Sequence, residues 1–183
     1  MEIEKLNLSK NFKLVMICAG SKNDSFFTAY PNENFVNEPT NNIEHHPDVI
    51  MKDAKISWRE YLINNQNDKN LLEAYNLYKR NEYRCLYNRF KERFYILSAG
   101  WGLVKADCKL PNYDITFSKL AKNKNRRIFN DEGYRDFNKL ENISDSDDIV
   151  FIGSPDYIPL FFDLTRNLKN RKIIYWKSTV DFI

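Results

Sequence analysis

Asp148-Ile149-Val150-Phe151-Ile152-Gly153-Ser154-Pro155-Asp156 passes from an unbroken apolar run into a helix start. Ser154 has the residue type of an N-cap, Pro155 suits the first helical position, and Asp156 complements the positive end of the helix. The apolar run is short and continuous rather than alternating, which predicts a strand buried on both faces, as in a parallel sheet. Three further runs have the same character: Phe12 to Ala19, Phe94 to Ala99 and Lys172 to Trp176. Between them, helical spacing of apolar residues predicts helices over Pro47 to Asn64, Asp68 to Arg93, Arg126 to Leu140 and Pro155 to Leu168. Strand and helix in alternation imply right-handed crossovers, and so a three-layer α/β/α domain around a central, mostly parallel sheet of about four strands.

The chain has 183 residues, of which 43% are hydrophobic and 15% aromatic. That length is one typical domain, and with no repeat, linker or low-complexity tract the expectation is a single α/β domain over residues 1–183. No stretch is apolar for long enough to span a membrane and no signal-peptide pattern opens the chain, which predicts a cytoplasmic protein. Cys18, Cys85 and Cys108 are an odd number at unrelated spacings, the pattern of reduced thiols rather than of a disulfide framework.

The net charge of +3 is unevenly distributed. Residues 1–75 carry 8 basic and 11 acidic side chains, residues 76–130 carry 13 and 4, and residues 131–183 carry 7 and 10. A middle third at +9 between flanks at −3 is either a polyanion-binding surface or an ordinary solvated face.

In open α/β sheets ligands sit beyond the carboxyl ends of the strands, so the residues that follow each run are the candidates. They are Gly20-Ser21-Lys22-Asn23-Asp24, Ser98-Ala99-Gly100-Trp101-Gly102, Ser154-Pro155-Asp156-Tyr157 and Lys177-Ser178-Thr179. Gly20-Ser21-Lys22 lacks the spacing of a phosphate loop of the Walker type; its amides and Lys22 can hold a phosphate, or the segment is a plain tight turn. Asp156 is a helix cap or an acid–base group. His45 and His46 have no cysteine nearby to complete a metal-ligand set, Cys18 lies in a buried strand where thiols are inert, and no G-x-S-x-G elbow occurs. No metal and no cofactor are expected. Acid–base or electrostatic chemistry by Asp24, Asp114 or Asp156 is what remains.

Two long segments fit none of these elements: residues 20–46 and 100–118. The second ends in Pro111-Asn112-Tyr113-Asp114-Ile115-Thr116-Phe117-Ser118, just before the basic residues Lys119, Lys122, Lys124, Arg126 and Arg127. There Asp114 and Tyr113 are a carboxylate and ring set for chemistry, or a helix cap and a core aromatic.

The stretch Ile96-Leu97-Ser98-Ala99-Gly100-Trp101-Gly102-Leu103 together with Pro111-Asn112-Tyr113-Asp114-Ile115-Thr116-Phe117-Ser118, supported by Val15 to Lys22, Ser57 to Glu60 and Ala74 to Tyr78, resembles the YaaA-type peroxide-stress family. Related domains accompany tRNA-guanine transglycosylases, and the fold of the family is similar to that of uracil-DNA glycosylases. The resemblance implies a hydrolase of N-glycosyl bonds: a DNA glycosylase that flips a modified base from double-stranded DNA, leaves an abasic site and serves anti-phage defence. On that reading Asp114, then Asp24, is the catalytic carboxylate, and Trp101 or Tyr113 stacks the base. Asn23 or Ser98 meets the base edge, with Asp156 and Tyr157 beside them. Ser21, Lys22, Ser154, Lys119, Lys122, Lys124, Arg126 and Arg127 take phosphates. The chain departs from uracil glycosylases in lacking G-Q-D-P-Y and H-P-S segments, which points away from uracil and toward a bulkier base such as a glycosylated hydroxymethyl-pyrimidine of phage DNA. A non-catalytic DNA- or nucleotide-binding stress protein and a nucleoside or nucleotide N-glycosidase or transferase are the alternatives.

Overall fold

A computed structural model describes residues 7–20, 55–69, 71–111, 116–119, 127, 136–138 and 140–176. The four apolar runs form strands within the expected bounds: β1 (Lys13–Ile17), β3 (Phe94–Ser98), β7 (Ile149–Ile152) and β8 (Lys172–Tyr175). Four shorter strands join them, namely β2 (Leu72–Glu73), β4 (Gly102–Lys105), β5 (Lys109–Leu110) and β6 (Phe137–Asn138). Among the described residues the principal sheet has six strands in the order β6-β4-β3-β1-β7-β8, and β2 and β5 form a separate antiparallel pair. Strands β3, β1, β7 and β8 run parallel, while β4 returns antiparallel to β3. The result is a mixed, mostly parallel sheet in an α/β fold.

β1 lies at the centre, with Val15 opposite Tyr95 of β3 on one side and Phe151 of β7 on the other. Its continuous apolar run follows from that position, since a strand hydrogen-bonded on both edges has its side chains facing other elements above and below. Every residue of β3 is buried. On the far side of β7, Phe151 packs its ring against Phe161 with centroids 4.8 Å apart. Burial of each such ring contributes about 1.5–3 kcal/mol.

The helices depart more from expectation. Trp58–Asn64 forms α1, capped by Ser57, whose Oγ accepts the Glu60 N–H at 3.1 Å; residues 47–54 lie outside the described residues. The helix expected over residues 68–93 is broken. Leu72 and Glu73 pair instead with Leu110 and Lys109, α2 covers only Ala74–Leu77, Tyr78 is extended, and α3 runs over Glu82–Phe90 before a 3-10 turn at Lys91–Arg93. In the helix expected over residues 126–140, Phe137 and Asn138 belong to β6; most of the rest lies outside the described residues. The last helix agrees best: Ser154 Oγ accepts the Asp156 N–H at 3.3 Å, Pro155–Tyr157 form a 3-10 turn, and α4 follows over Ile158–Thr165.

Residues 100–118 are not one long irregular segment. Ala99, Gly100 and Trp101 turn β3 back into β4, and Ser98 Oγ accepts the N–H groups of Gly100 at 3.3 Å and Trp101 at 3.1 Å. Gly102 opens β4 with φ +84°, and a Cβ there would lie 2.6 Å from the Phe137 carbonyl oxygen and collide with Asp136. Glycine is therefore required both by the backbone angle and by the close approach of β6.

Candidate functional site at the carboxyl edge of the sheet

The chain leaves β1 toward β3 on one side and later returns to lay β7 on the other, which opens a crevice beyond the carboxyl ends of β1 and β7. A cleft of about 770 Å³ lies there. Its lining comes from the end of β1 (Met16 to Gly20), from Arg80 and Tyr83, from Thr116 and Ser118, from Ile152 to Ser154 with Tyr157, and from Tyr175 and Trp176 at the end of β8. A smaller hollow of about 340 Å³ lies elsewhere, beside Leu62, Ile63 and Phe137, and Lys105 and Glu141, an ion pair at 2.8 Å, are among its lining residues. Only the larger one sits where strand ends and loop backbones converge.

The floor of the cleft is a hydrogen-bonded set. Cys18, first residue beyond β1, donates its N–H to Leu97 O at 2.9 Å, and its Sγ accepts the Ala99 N–H at 3.3 Å. Tyr157 Oη shares hydrogen bonds with Cys18 Sγ at 3.4 Å and with Thr116 Oγ1 at 3.2 Å. Tyr83 Oη donates to Ile17 O at 2.6 Å, and Lys79 N–H to Gly20 O at 2.9 Å. Burial, and next the Cys18 sulfur, pushes the phenols of both Tyr157 and Tyr83 far up, so each remains a neutral O–H. Among the described lining residues Arg80 is the one that carries a formal charge at neutral pH, and it is exposed.

Thr116 is fixed from two further directions. Its carbonyl accepts the Arg127 N–H at 2.7 Å, and its Oγ1 accepts the Ser118 N–H at 3.1 Å. Phe117 between them packs edge-on against the Tyr157 ring at 5.2 Å. Lys119 N–H reaches Asp156 Oδ2 at 3.2 Å, so Asp156 serves both as a first-turn acid of its helix and as a tie to this segment.

No protein-family model matches the chain, and neither a curated protein nor a solved structure matches it.

Of the residues singled out in the sequence, Ser154 and Tyr157 line the cleft, and Asp156 and Lys119 stand beside it, Lys119 exposed. Three others lie in the interior. Ser98 and Trp101 are buried in the β3–β4 hairpin, Ser98 as the acceptor that shapes the turn, and neither lines the cleft. Arg127 is also buried: it forms a bidentate pair with Asp136 and donates to Ala99 O at 2.8 Å, so its guanidinium serves the interior and not an exposed basic face. Ser21, Lys22, Asn23, Asp24, Tyr113, Asp114, Lys122, Lys124 and Arg126 lie outside the described residues, as do His45 and His46. Among the described residues, no three His, Cys, Asp or Glu side chains gather as metal ligands would, and no helix is long and apolar enough to cross a membrane.

Sequence reading missed Arg80, Tyr83, Tyr175 and Trp176, and set Cys18 aside as an inert strand thiol. Cys18 is a buried thiol outside any disulfide, and it lines the cleft. For Tyr175 and Trp176 a signal existed: they close the last apolar run, directly before the candidate segment Lys177-Ser178-Thr179.

Proposed function

We propose that the chain is a DNA glycosylase, a member of the YaaA-like group with a uracil-DNA-glycosylase-like three-layer fold. It hydrolyses the N-glycosidic bond of a modified base flipped out of double-stranded DNA, a glycosylated hydroxymethyl-pyrimidine of phage DNA being the favoured substrate. The observation that carries this reading is the cleft at the strand switch point, to which the Thr116-Phe117-Ser118 end of the family-like motif contributes two lining residues. Asp114 stands two residues before Thr116, and Asp24 four residues after Gly20, so both candidate carboxylates adjoin, in sequence, residues of the cleft wall.

The size and chemistry of the cleft support the same reading. A volume of about 770 Å³ falls within the roughly 300–1,000 Å³ of small-molecule sites and leaves room for a base enlarged by a sugar. Its described lining is uncharged apart from Arg80, a surrounding in which a single carboxylate acts strongly on a developing positive charge. In the reaction the C1′–N bond breaks as an oxocarbenium-like sugar forms. The carboxylate of Asp114 stabilises that cation and orients a water whose oxygen bonds to C1′. The proton that this water gives up passes to the departing base, and the hydroxyl left on C1′ completes the abasic site.

Incubation with phage-modified and plain duplex DNA, followed by alkali, tests the reading. Strand breaks at the modified positions are expected, absent with Asp114→Asn, which should still bind DNA. Intact strands on every DNA would overturn it, and salt-sensitive binding without any cleavage would establish the non-catalytic alternative in its place.

A further inference from the structure

Among the described residues five large hydrophobic side chains are exposed: Ile63, Ile152, Phe162, Tyr175 and Trp176. Three of the five line the same cleft. They gather at the carboxyl edge of β7 and β8, where Ile152 and Tyr175 are cross-strand partners and Trp176 follows directly on β8. Among the described residues, the four aromatic side chains that line the cleft thus divide by accessibility. Tyr83 and Tyr157 are 1% and 3% exposed with their phenols engaged in the floor, whereas Tyr175 and Trp176 are 42% and 53% exposed. Leaving a Trp half in water forgoes burial energy that the fold could otherwise use.

We propose that the Tyr175–Trp176 wall of the cleft is a stacking site for a base of a nucleic-acid strand, with Arg80 receiving the phosphate beside it. This rests on the cleft being the nucleic-acid site proposed above, and it assigns the base-stacking role to residues other than Trp101. The complementarity is of two kinds. An accessible aromatic face in a concave site suits a flat π-system, and a rim whose one described charge is a guanidinium suits an attached phosphate. A purely apolar partner would leave Arg80 unused, and a cationic one would meet it with like charge. Because every base has a π-face, the wall binds bases with little regard to sequence; selection of the modified base then falls to the deeper floor around Cys18, Thr116 and Tyr157.

Fluorescence anisotropy with a labelled short single-stranded DNA, and with an abasic strand of equal length, tests the assignment. Trp176→Ala should weaken binding of the base-bearing strand by about tenfold or more, as loss of one stacked base does elsewhere. Trp176→Phe should restore most of it, and Tyr175→Ala should produce a smaller loss. The abasic strand should bind the wild type and Trp176→Ala alike. Arg80→Gln should weaken both strands and lower the salt slope by about one. Equal affinity of wild type and Trp176→Ala for the base-bearing strand, an equal loss on both strands, or no binding by the wild type would overturn the proposal. A Trp176→Ala defect in a protein that cleaves no DNA would leave the stacking site standing and remove the glycosylase reading; cleavage with unchanged Trp176→Ala affinity would do the reverse.

Discussion

Arg127 holds Asp136 through two parallel hydrogen bonds of 2.9 Å, with both side chains almost wholly withdrawn from solvent. The same guanidinium donates to Ala99 O, and the Arg127 backbone donates to Thr116 O. One residue therefore joins the β3–β4 hairpin, the start of β6 and the Thr116 segment at the cleft.

Removing either partner leaves an uncompensated charge in the interior. Asp136→Ala and Arg127→Ala should each lower unfolding free energy by about 3–5 kcal/mol, whereas replacing both by apolar residues of similar volume should recover much of the loss. Urea denaturation with an unchanged m-value is the check. If Arg127→Ala kept full stability and lost only DNA affinity, the residue would be a phosphate ligand and not an interior tie.

How far the sequence reveals this fold depends on whether a signal is local. The parallel strands were legible because continuous runs such as Phe94-Tyr95-Ile96-Leu97 record burial on both faces. β4 was not, since Leu103-Val104 is too short an apolar run to stand out, and its pairing depends on a turn shaped by Ser98 and on the positive φ of Gly102. The break in the expected helix over residues 68–93 comes from pairing of Leu72 with Leu110, a contact made across 38 positions of sequence. Trp101 and Arg127 have the residue types of a stacking ring and a phosphate ligand, and only tertiary packing shows both turned inward. At the cleft, Ser154 and Tyr157 were legible from the strand-to-helix signature, while Arg80 and Tyr83 arrive from α3 and the turn before it, with no mark in the local pattern.

Stability at acid pH should depend on Asp148. Its carboxylate accepts from Arg171 at 2.7 and 2.8 Å and from the Ser9 N–H at 2.6 Å, and these bonds, those from Arg171 foremost, hold it down from 3.8 to about 2. Because the folded value lies below the unfolded one, the unfolded chain binds more protons in that window. The stabilisation is complete above about pH 4 and is lost as pH falls toward about 2. Arg171 is largely exposed, so screening limits the term to about 1–2 kcal/mol. Asp148→Asn should be less stable than wild type at neutral pH by that amount, and the two should converge near pH 2 in urea titrations; a constant difference across the range would remove the assignment.

The Tyr157 hydroxyl connects the carboxyl end of β1, through Cys18, to Thr116, two residues after Asp114. Tyr157→Phe keeps the ring against Phe117 and deletes the hydroxyl's bonds to Cys18, Thr116 and the Phe117 backbone. The stability change should be small, about 1 kcal/mol. If Asp114 is the carboxylate of the glycosylase reaction, loosening Thr116 should lower kcat by up to about 100-fold, since a misplacement of about 1 Å has that effect on a positioned group. KM for modified duplex DNA should change less than kcat, because the sequence-independent hold on the strand is assigned to Arg80 and the exposed aromatic wall, and the hydroxyl adds only to selection of the base in the floor. Single-turnover cleavage measured beside equilibrium DNA binding separates the two quantities. Equal losses in both would mean that Tyr157 shapes the cleft as a whole, and an unaltered kcat would detach the Thr116 segment from the chemistry.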